Sequence, residues 1–243
     1  MKRNDFFGRN PLITLLLLIS QSIFSQYEIQ INTDRPDQGD GTAIVDKYSF
    51  QIENGINADT FQLYNNTLLR FGIGAGNEIR MVINAGKAGN EHGLFPLGFS
   101  MKQCITKQKN LLPSITLSAY YFFGQAAAKQ LRNNSNEFLF LLIFQNEIND
   151  KWGININLGT PDFNKTLQYT TSISCEIGER ITLYSEIFGK IIHNYRGGLN
   201  IDAGILYFIK YNLQIDIAAG IPLIEKQQAP YITTGFSWLF SLH

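Results

Sequence analysis

Apolar and polar residues alternate along most of this chain, which is the pattern of β-strands with one apolar and one polar face. About twelve such segments occur, and most are near the 9–11 residues that a tilted membrane-spanning strand needs. One long apolar stripe consists of Ile115, Leu117, Ala119, Tyr121 and Phe123. The segments begin near Tyr48, Leu69, Met81, Leu97, Ile115, Glu137, Ile154, Leu167, Ile181, Leu199, Leu213 and Ile232.

The connections between the segments fall into two length classes. Those after even-numbered segments are short, at 74–77, 107–110, 149–151, 178–180 and 210–212. Most of those after odd-numbered segments are longer, at 87–95, 125–136, 190–197 and 221–230, and the first, at 57–60, is an exception. Outer-membrane barrels have short periplasmic turns and longer extracellular loops. The pattern therefore predicts an all-β fold, a transmembrane antiparallel up-and-down β-barrel of about twelve strands with both termini in the periplasm.

The composition favours a membrane barrel over a soluble one. Charged residues are 16% of the chain and aromatic residues 13%, whereas ordinary soluble domains have about 25% charged residues. The alternative is a β-sandwich or soluble barrel with its apolar faces inside, and such folds usually carry many Lys and Glu on the surface. Here the polar faces carry mostly Ser, Thr, Asn, Gln and Gly. The formal net charge is zero, so nucleic acid is not a predicted partner.

The first residues predict export. A short apolar run at 11–19 follows three positively charged residues, Lys2, Arg3 and Arg9. The run is too short for a membrane-spanning helix. Such a run fits a removable secretory signal, and small and polar residues follow it at 20–25. We therefore expect a signal peptide at 1–25, a periplasmic N-terminal segment at 26–46 and the barrel at 47–243. The expected location is the outer membrane of a Gram-negative bacterium, with its lipid as a partner.

A charged motif precedes the first strand. It contains Asp34, Arg35, Pro36 and Asp37. Three interpretations are open: the motif folds into the barrel mouth as a plug, it contacts a periplasmic partner, or Pro36 and the acids form a capped turn.

Charged residues recur on the polar faces of the strands, and these faces are expected to line the lumen because unpaired charges on a lipid-facing wall are costly. The functional interpretation is a set of charges that controls solute selectivity, as charged rings do in pores. The alternative is a static salt-bridge network that fills a narrow barrel. The residues concerned are Glu53, Arg70, Arg80, Lys102, Glu186, Asp202 and Asp216.

Two features depart from the simple pattern. The sixth segment is apolar on both faces in its first half, so we expect it to pack against something inside the barrel. Cys104 lies in the polar phase of its strand and Cys175 in the apolar phase, which argues against a disulfide between them.

Sequence motifs along the chain resemble a known family. The run Thr33-Asp34-Arg35-Pro36-Asp37-Gln38, followed by Ser49-Phe50-Gln51-Ile52-Glu53, resembles the outer-membrane family named for the MetA pathway of phenol degradation. Shorter matches follow in order, including Leu69-Arg70-Phe71-Gly72 and Asp202-Ala203-Gly204. The resemblance runs from about Thr33 to the C-terminus and implies a barrel that carries small solutes, among them aromatic or hydrophobic compounds.

The function predicted from the sequence is an outer-membrane channel or transporter for small solutes. The alternative is a non-transporting barrel with a structural or adhesive role. We predict no enzymatic activity, no cofactor and no metal site, because the sequence contains no HExxH, P-loop or dinucleotide fingerprint. A lipid hydrolase is the third and least favoured alternative, because no Ser on the strands pairs convincingly with His92, His193 or His243.

Overall fold

The fold is all-β. A computed structural model describes residues 31–132, 135–163, 165–193, 197–224 and 229–241, so the predicted signal peptide lies outside the described residues. Within these ranges the chain forms thirteen strands and two single-turn 3₁₀ helices, Gly124–Ala126 and Lys129–Leu131. None of the described helices has the length or the apolar content to cross a membrane. The strands are β1 (Ser49–Asp59), β2 (Gln62–Gly74), β3 (Asn77–Ala88), β4 (Glu91–Leu94), β5 (Leu97–Thr106), β6 (Ser114–Phe123), β7 (Glu137–Glu147), β8 (Trp152–Thr160), β9 (Thr166–Ile177), β10 (Ile181–Ile192), β11 (Leu199–Lys210), β12 (Leu213–Ile224) and β13 (Tyr231–Ser241).

Twelve of these strands form a closed antiparallel barrel, and β4 is a short extra strand that pairs with the end of β3. The last strand returns to the first: Ser49 of β1 lies opposite Ser241 of β13, and Asp59 lies opposite Tyr231. Because β1 also pairs with β2, and β2 with β3, every described barrel strand has a partner on both sides. This closure satisfies the backbone hydrogen bonds of the wall, as a hydrocarbon environment requires. The predicted fold class is confirmed.

The two faces of the wall have opposite chemistry. On β12, the buried side chains of Gln214 and Asp216 point inward, and they alternate with Ile215 and Ile217, which are exposed on the outer surface. The same alternation holds around the barrel, where fully buried side chains are mainly polar and exposed large side chains are apolar. A soluble barrel would have the reverse arrangement, so the soluble alternative is excluded.

The described connections show two length classes, and several predicted bounds are wrong: residues 57–59, 87–88, 190–192 and 221–224 belong to barrel strands, and 91–94 form β4. Turns at 75–76, 178–180 and 211–212 lie at the end of the barrel that also holds both described chain ends, whereas the two 3₁₀ turns within 124–131 lie at the other end. The turn predicted at 107–110 extends over 107–113, because Lys109 and Leu112 form an isolated pair of backbone hydrogen bonds of 3.0 Å each. We refer to the two ends as periplasmic and extracellular, following the predicted orientation.

The apolar inner face of β7 forms a hydrophobic patch inside the lumen. Leu139 and Leu141 pack against a buried cluster of Leu68, Val82 and Tyr120 from β2, β3 and β6. The expectation that this strand packs against something inside the barrel is therefore confirmed, and its partners are inward-facing side chains of the adjacent strand β6 and of β2 and β3 across the lumen. Cys104 and Cys175 are both free, and they lie on different strands, β5 and β9.

Candidate functional site

Residues 31–46, which we call the plug, lie inside the barrel. The segment has almost no regular structure, and side chains of the wall satisfy its backbone. Asp40 N donates to Asn157 Oδ1 (2.9 Å) and Val45 N donates to Glu78 Oε2 (2.7 Å). Irregular backbone at membrane depth is tolerated where protein encloses it and pairs its polar groups. Of the arrangements open from the sequence, the structure has the one in which this segment folds into the barrel.

Asp34 anchors the plug to three cations of the wall. Its carboxylate lies 2.9 Å from Arg80 Nη1, 3.1 Å from Lys102 Nζ and 3.5 Å from Arg70 Nη1. Burial alone would raise the pKa of Asp34, but the positive charges of Arg70, Lys102 and Arg80 hold it below its usual value. Asp34 is therefore ionised inside the lumen, and it ties the plug to β2, β3 and β5.

Arg70 uses all five of its N–H donors. Two bind Glu78, through Nε and Nη2, at 3.0 Å each, and one binds Glu53 at 2.8 Å. The other two bind plug carbonyls, those of Asn32 and Ala43, at 3.0 Å each. Since a guanidinium has five donors in a fixed plane, this side chain clamps the wall and the plug with its full capacity.

Arg80 extends the same network toward β5 and β6. It binds Asp40 of the plug at 2.9 Å, and its Nε and Nη2 donate to Ser100 Oγ at 3.1 and 2.8 Å. The guanidinium also lies 4.6 Å above the centre of the Tyr120 ring, and the Tyr120 hydroxyl donates to Asp40. The cations on this side of the lumen are thus neutralised by carboxylates.

Arg35 occupies a slot between two glycines. Gly55 and Gly235 lie opposite each other on β1 and β13, and a Cβ at Gly55 would lie 2.1 Å from Arg35 Nη2. In this slot the guanidinium binds Asp216 at 3.1 Å and Thr233 Oγ1 at 3.0 Å. The absence of a side chain at both positions is what admits a buried arginine here.

Gly72 provides a test of plug placement that leaves all charges unchanged. A Cβ at Gly72 would lie 2.0 Å from the carbonyl oxygen of Asp46 and 2.3 Å from that of Val45. We expect Gly72→Ala to displace this end of the plug, making the segment susceptible to limited proteolysis by proteinase K in the folded barrel. The control is Gly41→Ala, where the nearest atoms would be 3.6 Å away. Equal protection of both variants would contradict the observed plug position.

The opposite side of the lumen is acidic. Glu186 of β10 and Asp202 of β11 lie directly opposite each other in register. Gln38 N donates to Glu186 Oε1 at 2.5 Å, and the Tyr231 hydroxyl donates to Asp202. Burial, followed by the negative charges of Asp202, Asp34 and Asp216, raises the pKa of the nearby Asp37.

Cavities lie above and below the plug. The upper cavity, toward the extracellular end, has a volume of about 400 Å³ and the plug residues 34–38 and Asp40 form part of its wall. A lower cavity of about 540 Å³ opens toward the periplasmic end and is bounded by Ile31, Tyr184 and Gln214, among others. Asp37 lines both cavities. Among the described residues, Asp37 is the one that the linings of these two cavities share.

All seven lumen residues selected from the sequence have buried side chains on the inner face, which the structure divides into two groups. Arg70, Arg80, Lys102 and Glu53 hold the plug, whereas Glu186 and Asp202 belong to the acidic side. Asp216 also belongs to the group that holds the plug, because it forms an ion pair with Arg35. Their roles in solute selectivity stay a prediction.

Several residues at the site were missed by sequence reasoning. The alternation along β3 could have identified Glu78 as a lumen residue, because it lies two positions before Arg80 on the same strand face. Asp40, Tyr120 and Tyr231 gave no such signal, since their roles depend on contacts with distant parts of the chain. Among the described residues, no group of three or more His, Cys, Asp or Glu side chains is arranged to hold a metal ion.

Solved structures with the same fold are porins and channels. The COG4313 outer membrane channel from Pseudomonas putida F1 aligns with a TM-score of 0.64 and 9% identity, covering 84% of this chain and 99% of that one. The KdgM porin aligns with a TM-score of 0.61 and 11% identity, covering 78% and 99%. The NanC porin aligns with a TM-score of 0.58 and 9% identity, covering 78% and 98%. At these identities the likeness establishes the fold.

The family follows from a comparison of sequences. No curated protein matches the chain. The family model described as "Putative MetA-pathway of phenol degradation" matches residues 33–240, which include the plug from Thr33 onward and nearly all of the barrel. Because the match extends over most of the chain, this protein belongs to that family of β-barrels, as the TDRPDQ motif and the strand motifs indicated.

Proposed function

We propose that this chain is an outer-membrane channel that passes small solutes through its lumen, with the plug as the constriction. The apolar outer wall fits a lipid environment, and the polar inner wall fits an aqueous path. The observation that carries the proposal is that Asp37 lines a cavity on each side of the plug. A barrel with a purely structural role would need no such cavities.

The upper cavity suggests which solutes the channel takes. One side of this cavity is apolar, with Leu68, Val82, Phe122, Leu139 and Leu141. Amide side chains lie beside this apolar patch: Asn66 and Asn84 are two positions from Leu68 and Val82 on the same faces of β2 and β3, and Asn57 and Gln168 also line the cavity. A wall that combines apolar and amide groups fits small amphipathic compounds, such as a single aromatic ring with a polar substituent. The family's link to phenol degradation supports the same solute class.

An acidic solute fits the lumen less well. The KdgM porin has been solved in complex with oligogalacturonate, which is an anionic sugar chain. Here four buried cations of the lumen are each bound to a carboxylate, namely Arg35, Arg70, Arg80 and Lys102. Glu186 and Asp202, in contrast, form no salt bridge among the described residues. The charge balance therefore favours neutral or positively charged solutes.

Conductance measurements test the proposal directly. We expect the refolded barrel, from residue 26 onward, to give discrete current steps in a planar lipid bilayer, and liposomes that contain it to take up small amphipathic aromatics faster than empty liposomes. Heat-denatured protein is the control. A folded and inserted barrel that gives neither current nor uptake would overturn the channel function.

That negative outcome would favour the alternative, a non-transporting barrel with a structural or adhesive role. The dense contacts of Asp34, Arg70 and Arg80 with the plug are the observation on its side. Neither proposal includes a catalytic step. Hydrolysis of phospholipid by the purified barrel would contradict both.

A further inference from the structure

The carboxylates on the β10–β11 side of the lumen differ from those around Arg70 because no cation neutralises them. Glu186 is 1% exposed and Asp202 is 3% exposed, yet neither forms a salt bridge in the part of the chain that the structure describes. Asp37 likewise forms no salt bridge with a described residue. The nearest arginine of the plug, Arg35, binds Asp216 instead.

Several buried polar atoms at this place accept no hydrogen bond from a donor group of the described residues. They are Oδ1 of Asp37, Oε2 of Glu186, Oδ1 of Asp202 and the hydroxyl of Tyr184. Leaving such buried atoms unpaired is costly, and native proteins usually satisfy them with a hydrogen-bond donor or a positive charge. Four unpartnered oxygen atoms beside one another therefore indicate that something cationic or a proton belongs there.

We propose that Asp37, Tyr184, Glu186 and Asp202, which we call the acidic site, attract small monovalent cations such as K⁺ through their charge, without the close ligand geometry of a metal site, and make the lumen selective for cationic over anionic solutes. Asp37 lines both cavities, so a cation can approach its carboxylate from either end of the barrel. Cation binding stands on the geometry alone. Selectivity of transport rests on the proposed channel function.

The charges around the acidic site explain why a cation is needed. Negative or ionisable groups come from the plug and from four strands, and among the described residues the positive groups nearby are Arg35, bound to Asp216, and Lys190 at the rim of the neighbouring cavity. Asp34 also faces the site, but Arg70, Arg80 and Lys102 neutralise its charge. The remaining ionisable groups are Asp37 of the plug, Tyr184 and Glu186 of β10, Asp202 of β11, Asp216 of β12 and Tyr231 of β13. Their balance is negative whenever the carboxyl groups are ionised.

Protons compete with cations for this site. Because burial and the neighbouring carboxylates raise the pKa of Asp37, this group keeps its proton at pH values where an ordinary aspartate is ionised. At low pH the site is neutral and needs no cation, and as pH rises it becomes charged. Cation binding and cation selectivity are therefore expected to increase as the pH rises.

The first experiment measures reversal potentials in a KCl gradient across a planar bilayer. We expect the unmodified channel to favour K⁺, and the double variant Glu186→Gln/Asp202→Asn, with neutral side chains of the same shape, to reduce the K⁺/Cl⁻ permeability ratio by about fivefold. The control is Glu176→Gln, which removes a carboxylate of the lower cavity away from the acidic site. A fall of equal size in the control would overturn the assignment to the acidic site.

A second experiment does not depend on current. Tryptophan fluorescence reports the urea unfolding midpoint of the detergent-folded barrel in KCl and in N-methylglucamine chloride at equal ionic strength. Because a ligand that binds the folded state stabilises it, K⁺ is expected to raise the midpoint of the unmodified protein, more at pH 8 than at pH 5. The double variant is expected to lose this difference, and Asp37→Asn to reduce it.

The two experiments separate the two proposals. Stabilisation by K⁺ that the double variant abolishes, without any current, would support the acidic site and overturn the channel function. Current with an unchanged permeability ratio and no effect of K⁺ on unfolding would support the channel function and overturn the acidic site.

Discussion

Replacement of Arg70 by methionine is expected to release the plug and increase the channel conductance severalfold. Arg70 is 1% exposed and uses its five donors on Glu53, Glu78 and two plug carbonyls. Methionine keeps much of the volume but leaves two buried carboxylates without this partner. Breaking a buried ion pair by removing one partner costs about 3–5 kcal/mol. The free energy of plug binding is the quantity most directly reduced, because the wall keeps its backbone hydrogen bonds.

Two measurements on the same protein check this prediction. Single-channel recording gives the conductance, and limited proteolysis of the folded barrel gives the accessibility of residues 31–46. The control is Arg180→Met in the exposed turn at 178–180, which removes an arginine outside the lumen. Unchanged conductance together with full protease protection of the plug in Arg70→Met would show that the other contacts of Asp34 are sufficient.

Placing an arginine on the middle of the outer wall is expected to reduce insertion into membranes strongly. Ile217 lies near the centre of β12, between Ile205 of β11 and Thr234 of β13, and its side chain is 47% exposed on the outer surface. An arginine on the lipid face at the bilayer midplane costs about 2–4 kcal/mol. We therefore expect Ile217→Arg to lower the free energy of folding into lipid vesicles by that amount, measured by urea titration.

The matched control for this variant lies on the same face of the same strand. Leu223→Arg is close to the extracellular end of β12, where the cost of an arginine falls to about 0–1 kcal/mol. Equal folding of both variants would mean that β12 does not face hydrocarbon. The outward direction of its apolar stripe, and with it the membrane-spanning barrel, would then be wrong.

The wall of this protein could be read from the sequence because its rules are local. A period of two along each strand decides which side chains face outward, as at Ile215 and Ile217, and turn residues decide where each strand ends. The lumen residues Arg70, Glu186 and Asp202 followed from the same alternation. The longer turn at 107–113 was missed because its isolated backbone bridge leaves little trace in the composition.

The contents of the lumen were not determined in this way. Arg35 and Asp216, which form an ion pair, are 181 residues apart, and nothing in either local sequence indicates the other. The TDRPDQ motif was compatible with a plug, a partner-binding segment or a turn. Glycines opposite each other on the first and last strands admit Arg35, and that alignment exists only after the barrel has closed.

The sequence by itself thus determined the strand number, the two faces of the wall and the inward direction of the charged residues, because alternation and turn chemistry act between near neighbours. Only the tertiary structure decided which charges are neutralised. Arg70, Arg80 and Lys102 are bound by the plug and its surroundings, while Glu186 and Asp202 have no cation among the described residues. That division depends on where an irregular segment lies inside a closed barrel, and contacts between residues far apart in the chain fix its position.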